Sequence, residues 1–130
     1  MDIEIDPLSP VPLYQQLRDR IVEGIGRGDL TRGDALASVR QVAGQFGINP
    51  ATVAKAYDQL RAEGLVASNA KSGTFVTVDR DTAVPSEQFT EGLRERLLTL
   101  LAEGRAHGLS DAALRHLCDQ TVAGLAGARR

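Results

Sequence analysis

The tripeptide Gly47-Ile48-Asn49 constrains this chain most, because a helix signal lies on each side of it with no room for anything else between. Upstream, Ser38-Val39-Arg40-Gln41 reads as a capping box, with Ser38 as N-cap and the Gln41 side chain reaching back to it. Val42, Ala43 and Phe46 give that helix its buried face, and Gly47 stops it. Downstream, Asn49 suits an N-cap and Pro50 the first helical position. Ile48 and Val53 are spaced as a hydrophobic staple, and an inward stripe of Val53, Ala56, Tyr57 and Leu60 runs to a stop at Gly64. Two short helices joined by so few residues make a helix-turn-helix.

The flanks extend this unit in both directions. Asp2-Ile3-Glu4-Ile5-Asp6 alternates polar and apolar residues, the pattern of a short edge strand. Leu13, Tyr14, Leu17, Ile21 and Ile25 form one helical stripe, weakened at its end by Gly24, Gly26 and Gly28; a loop over 29–37 follows. After Gly64, Leu65-Val66-Ala67-Ser68 and Thr74-Phe75-Val76-Thr77-Val78 read as strands joined by the five-residue loop Asn69-Ala70-Lys71-Ser72-Gly73. Three helices and then a hairpin is the order of a winged helix, with the hairpin as the wing. A polar linker over 79–87 precedes a helix over 86–106, which carries Phe89, Leu93, Leu97, Leu100 and Leu101 on one side and Leu98 off it. Gly104 and Gly108 flank a break, and Ser110 caps a last helix with the stripe Leu114, Leu117, Cys118, Thr121, Val122 and Leu125. The predicted class is α+β, mostly α: a winged helix-turn-helix domain over 1–79 and a two-helix dimerisation tail over 80–130.

Length supports that division. In 130 residues the first part can bury a modest core, whereas a tail of about 50 residues needs a partner. The acidic N-terminus MDIEIDPLSP has no basic, apolar leader, and no apolar run is long enough for a membrane span, so a cytoplasmic protein without membrane contact is expected. His107, His116 and the single cysteine, Cys118, lack metal or catalytic spacing, and Gly24, Gly26 and Gly28 follow a helix rather than a strand. No enzyme activity, metal or cofactor is expected. The net charge of −2 does not advertise nucleic-acid binding, but charge is unevenly spread. Between Ser38 and Val78, Arg40, Lys55, Arg61 and Lys71 outnumber Asp58 and Glu63.

The run from Pro12 to Val78 resembles the DNA-binding domain of GntR-type bacterial transcriptional regulators. The resemblance is carried by Pro12-Leu13-Tyr14-Gln15-Gln16-Leu17, Leu36-Ala37-Ser38-Val39-Arg40-Gln41-Val42-Ala43, Asn49-Pro50-Ala51-Thr52-Val53-Ala54-Lys55-Ala56-Tyr57, Leu60-Arg61-Ala62-Glu63-Gly64-Leu65-Val66 and Ser72-Gly73-Thr74-Phe75-Val76. The short tail is similar to that of the YtrA-type subfamily, in which it mainly dimerises. The chain departs from the family pattern at Ala37, where the family has proline, at Pro50-Ala51, where it offers serine or arginine, and at Ala70-Lys71, where it has Arg-Gly.

The resemblance implies double-stranded operator DNA as partner, read by a homodimer at an inverted repeat. It further implies repression, with the chain's own operon, one encoding a transporter, as target. The leading end of the recognition helix presents Asn49, Ala51, Thr52 and Lys55: Thr52 can hydrogen-bond a base edge, Ala51 can touch a thymine methyl, and Lys55 can meet guanine or phosphate. Arg40, beside Ser38, sits where a cation opposes the helix dipole, so a DNA phosphate or guanine would compensate it; the surface alternative is a salt bridge to Asp58 or Glu63. Lys71 and Ser72 in the wing approach backbone or minor groove, Gly73 serves the turn, and Asn69 fits either role. Tyr57 is core, its hydroxyl within reach of solvent. Leu93, Leu97, Leu100, Leu114, Leu117 and Val122 are the expected dimer contacts. The tail is too small for a separate ligand domain, which leaves a pocket between head and tail as one place for a small-molecule effector of unknown identity. Two alternatives stand beside repression: an activator or a plasmid- or phage-type regulator with the same DNA chemistry, and a winged-helix protein-interaction module.

Overall fold

The computed structural model describes residues 3–126. They fall into two units, 3–82 and Ala83–Ala126, each taken by itself below.

The first unit, the head, is built on α1 (Leu13–Arg27), α2 (Val39–Phe46) and α3 (Pro50–Ala62). Both predicted caps form. The Ser38 hydroxyl accepts from the Gln41 amide at 3.1 Å while the Ser38 amide donates to the Gln41 side chain at 2.8 Å. Asn49 Oδ1 accepts from the Ala51 amide at 2.8 Å. Leu17, Ile21 and Ile25 from α1, Val42 and Ala43 from α2, and Val53, Ala56, Tyr57 and Leu60 from α3 close a single core, with Ile48 packed against it as the staple requires. At roughly 1.5–3 kcal/mol per large buried apolar side chain, this core is the main source of the head's stability.

The wing pairs β1 (Val66–Asn69) antiparallel with β2 (Gly73–Val76), so the loop between them is Ala70-Lys71-Ser72, shorter than the five residues expected. The segment before α2 is not a free loop. Gly33 donates to the Val76 carbonyl, Val76 to Asp34 and Leu36 to Thr74, which lays 33–36 along the other side of β2 and buries Leu36.

Other expectations fail in the head. No strand forms over 3–6, and Asp2 lies outside the described residues. The Gln16 side chain, buried on α1, takes the place of a strand partner: it accepts from the Asp6 amide at 2.7 Å and donates to the carbonyls of Asp6 and Val11 at 2.9 and 2.8 Å. The Tyr57 hydroxyl does not reach solvent. It donates to the Ala37 carbonyl at 2.6 Å, and burial pushes its pKa up to about 12.

The segment expected to be a pure linker holds a buried carboxylate. Asp79 accepts from the amides of Arg32, Asp81 and Thr82 at 2.9, 3.0 and 2.9 Å and from the Thr82 hydroxyl at 2.9 Å. These donors, the Arg32 amide first, hold its pKa down to about 2. The head therefore reaches past Asp79 to Thr82.

The second unit, the tail, is a hairpin of α4 (Glu87–Ala106), capped by Ser86, and α5 (Asp111–Gly124), capped by Ser110. The two helices meet at Gly104, where an added Cβ would lie 2.7 Å from Leu114 Cδ2 and 3.3 Å from Leu109 Cδ1. Arg105 and Asp111 form an ion pair across the turn.

Candidate nucleic-acid interface

The residues that could meet DNA come from three places in the head: the first turn of α2, the first turns of α3 and the tip of the wing. Their polar atoms are not equally available. The Ser38 acceptor and the Asn49 carbonyl oxygen are engaged as caps. Ser38 keeps its hydroxyl hydrogen and Asn49 its amide donors, both exposed and suited to phosphate or base acceptors. Pro50 and Ala51 are exposed, and Thr52 is half-buried behind them. Ala51 therefore leads α3 with a bare methyl group.

The cations sort themselves by what they pair with. Arg61 pairs with Asp58 and also donates to the Ser68 hydroxyl at 2.8 Å. Glu63 is taken by Arg18 of α1 at 2.6 Å and by Gln59 at 3.2 Å. Both carboxylates named as surface partners for Arg40 are thus committed elsewhere. Among the described residues Arg40, Lys55 and Lys71 form no salt bridge. Arg40 is the second residue of α2, exposed, at the end where the helix dipole disfavours a cation by about 0.3–1 kcal/mol. An anion supplied from outside would reverse that penalty. Lys55 is exposed on α3, its ammonium 4.0 Å from the centre of the Tyr14 ring. The head's acidic residues pair with Arg18, Arg20, Arg27 and Arg61 and not with these three cations, so an overall charge of −2 coexists with local positive charge on α2, α3 and the wing.

At the wing tip Lys71 and Ser72 are exposed. Asn69, left open between two roles by its sequence, builds the turn: its Oδ1 accepts from the Ser72 amide at 2.5 Å. Gly73 has φ +68 and open space where a Cβ would stand, so backbone conformation rather than crowding calls for glycine there. Gln16 and Asp79 escaped the sequence reading. Gln16 lies one residue before Leu17 on the inward face, and the Asp-x-x-Thr spacing of Asp79 and Thr82 is a local capping pattern; each was a usable signal.

In the tail, Leu93, Leu97, Leu100, Leu117 and Val122 are exposed, together with Phe89 and Leu98. Leu114 differs from the other expected dimer contacts: it is buried within the hairpin, against Gly104. No helix among the described residues is long and apolar enough to cross a membrane.

Residues 13–76 match the family described as bacterial regulatory proteins, gntR family. The chain is 30% identical over 128 residues to the HTH-type transcriptional repressor YtrA of Bacillus subtilis, an alignment covering 98% of each chain. The fold matches a crystal structure described as a transcriptional antiterminator from Listeria monocytogenes EGD-e with TM-score 0.89 at 25% identity, covering all of this chain and 96% of that one. AraR(DBD), in complex with operator ORX1, matches with TM-score 0.51 at 30% identity over 58% of this chain and 93% of its own.

Proposed function

Because the chain belongs to the GntR family of bacterial regulatory proteins, we propose that it acts as a homodimeric repressor that occupies an inverted-repeat operator. Membership makes it a DNA-binding transcriptional regulator. The finer reading rests on one observation above the rest: Arg40 is exposed at the positive end of a helix, without a carboxylate among the described residues, while Asp58 and Glu63 serve other arginines. Such a cation is stabilised by a phosphate or a guanine edge supplied from outside.

In this reading α3 enters the major groove with Asn49, Ala51, Thr52 and Lys55 leading. Arg40 and Ser38 hold the flanking backbone, and Lys71 and Ser72 of the wing, with Gly73 shaping its turn, lie over the adjacent strand. The similarity to AraR(DBD), crystallised with an operator, supports this placement. The exposed apolar residues of the tail support pairing of two copies through Leu93, Leu97, Leu100, Leu117 and Val122, with Leu114 shaping the hairpin beneath. The alignment with the repressor YtrA runs through the tail as well as the head and supports blocking of a promoter, the chain's own being the first to test.

The test is binding to a labelled duplex carrying the sequence upstream of the chain's gene, measured at several salt concentrations. Specific binding that weakens as salt rises is expected. Arg40→Ala should cost roughly 1–3 kcal/mol of binding while the far-ultraviolet spectrum is kept and the melting temperature does not fall. Equal, weak affinity for every duplex would sink the proposal.

A further inference from the structure

Lys55 stands on the same side of α3 as Ala51 and Thr52, four and three residues before it, and off the buried stripe of Val53, Ala56, Tyr57 and Leu60. Three residues after it, Asp58 would be a natural helical partner, yet that carboxylate goes to Arg61. The Lys55 ammonium instead sits 4.0 Å from the centre of the ring of Tyr14, a half-buried residue of the first turn of α1. We propose that Tyr14 is a positioning residue for DNA binding: it orders the Lys55 side chain through its ring face and leaves the full positive charge for the nucleic acid. The inference rests on the reading of α3 as the helix that meets DNA.

The choice of partner matters physically. A carboxylate would also order the lysine, but it would neutralise it and repel an approaching phosphate. An aromatic face attracts a cation through its quadrupole and carries no net charge of its own. A lysine on a four-carbon stem otherwise loses rotamer freedom when it contacts DNA, and part of that loss is met here before binding. The rest of α3 is braced on α1 in the same sense. Arg18, one helical turn after Tyr14, holds Glu63 at the far end of α3. One helix thus supports its neighbour at two places, with an ion pair at the far end and an uncharged ring at Lys55, nearer the leading edge.

The experiment compares the full-length protein with Tyr14→Phe, Tyr14→Leu, Lys55→Ala and the Tyr14→Leu/Lys55→Ala pair. The probe is a fluorescein-labelled duplex from the promoter of the chain's own gene, titrated across a salt series, with a thermal melt of every variant. Tyr14→Phe keeps the ring face and should bind within about twofold of the parent. Tyr14→Leu should bind about 2- to 5-fold more weakly with the salt slope unchanged, because the lysine is still present. Lys55→Ala should weaken binding and lower the magnitude of the slope by about 1. With Lys55 already replaced, Tyr14→Leu should cost nothing further. A Tyr14→Leu effect of the same size in both backgrounds overturns the assignment, as does a Tyr14→Phe as weak as Tyr14→Leu. Lys55→Ala without effect, while Arg40→Ala weakens binding, overturns this inference alone. If both are without effect, the DNA reading falls with it.

Discussion

The head and the tail use helices of similar composition to opposite ends. The head wraps three helices and a hairpin around a continuous core in which Leu17, Ile21, Val42, Val53, Leu60 and Val76 are wholly removed from solvent. In the tail, Leu114 is the buried residue among those described, while Phe89, Leu93, Leu97, Leu98, Leu100, Leu117 and Val122 lie exposed. The head's apolar residues are satisfied within one chain. The tail's are not, and a two-helix hairpin has too little interior to hold its shape unaided. Hydrophobic pattern alone therefore marks an apolar face, not whether the fold of one chain covers it.

The sharpest way to break this contrast is to cut into each part separately. Leu60→Ala, in the head's core, should remove about 2–5 kcal/mol in denaturant unfolding and abolish DNA binding at growth temperature. Leu97→Asp, on the exposed side of α4, should leave the head's melting transition in place. It should weaken dimerisation by about 2 kcal/mol or more in sedimentation equilibrium. If Leu97→Asp instead unfolded the head, or left the proposed dimer intact, head and tail would not divide their labour in this way.

Within the head, Tyr57→Phe tests whether the turn before α2 is held from α3. It leaves the Ala37 carbonyl without its donor and should cost about 1 kcal/mol of stability, read by denaturant titration. The finest probe is acid. Asp79 has its folded pKa depressed to about 2 from an ordinary 3.8, so the carboxylate form is the one folding favours. Its contribution should be complete above about pH 4 and fade as the pH falls towards 2. Asp79→Asn should flatten that part of the head's stability profile and leave the tail's association unaltered. A profile that loses stability on the alkaline side instead would contradict this sign.

Much of this was legible because it depended on neighbours in sequence. Ser38 with Gln41, Asn49 with Pro50, and the stripe from Val53 to Leu60 are local signals, and each sits where its spacing placed it. The reading failed where a side chain reached across sequence. The alternation over 2–6 is a fair strand pattern, but Gln16, ten residues beyond Asp6, supplies the hydrogen bonds that a neighbouring strand would have given. Residues 33–36 looked like a loop because no period shows in them, yet β2 offers them a free edge. Leu114 fell on a plausible outward stripe, and only the close approach at Gly104 turns it inward. For the candidate site, chemistry was legible and pairing was not. The basic residues could be named, but which of them had already spent its charge on a carboxylate required the fold.

The bond from Tyr57 to the Ala37 carbonyl joins α3 to the stretch that leads into α2. With Ile48 packed against the same core, the two helices form one stiff die that cannot be twisted open without parting the buried Tyr57 hydroxyl from the Ala37 carbonyl. A pair of helices tied in this way resists a change in the angle between them. In the proposed dimer, release from an operator would come from pulling two dies out of step with the helical repeat of DNA, not from blunting either one.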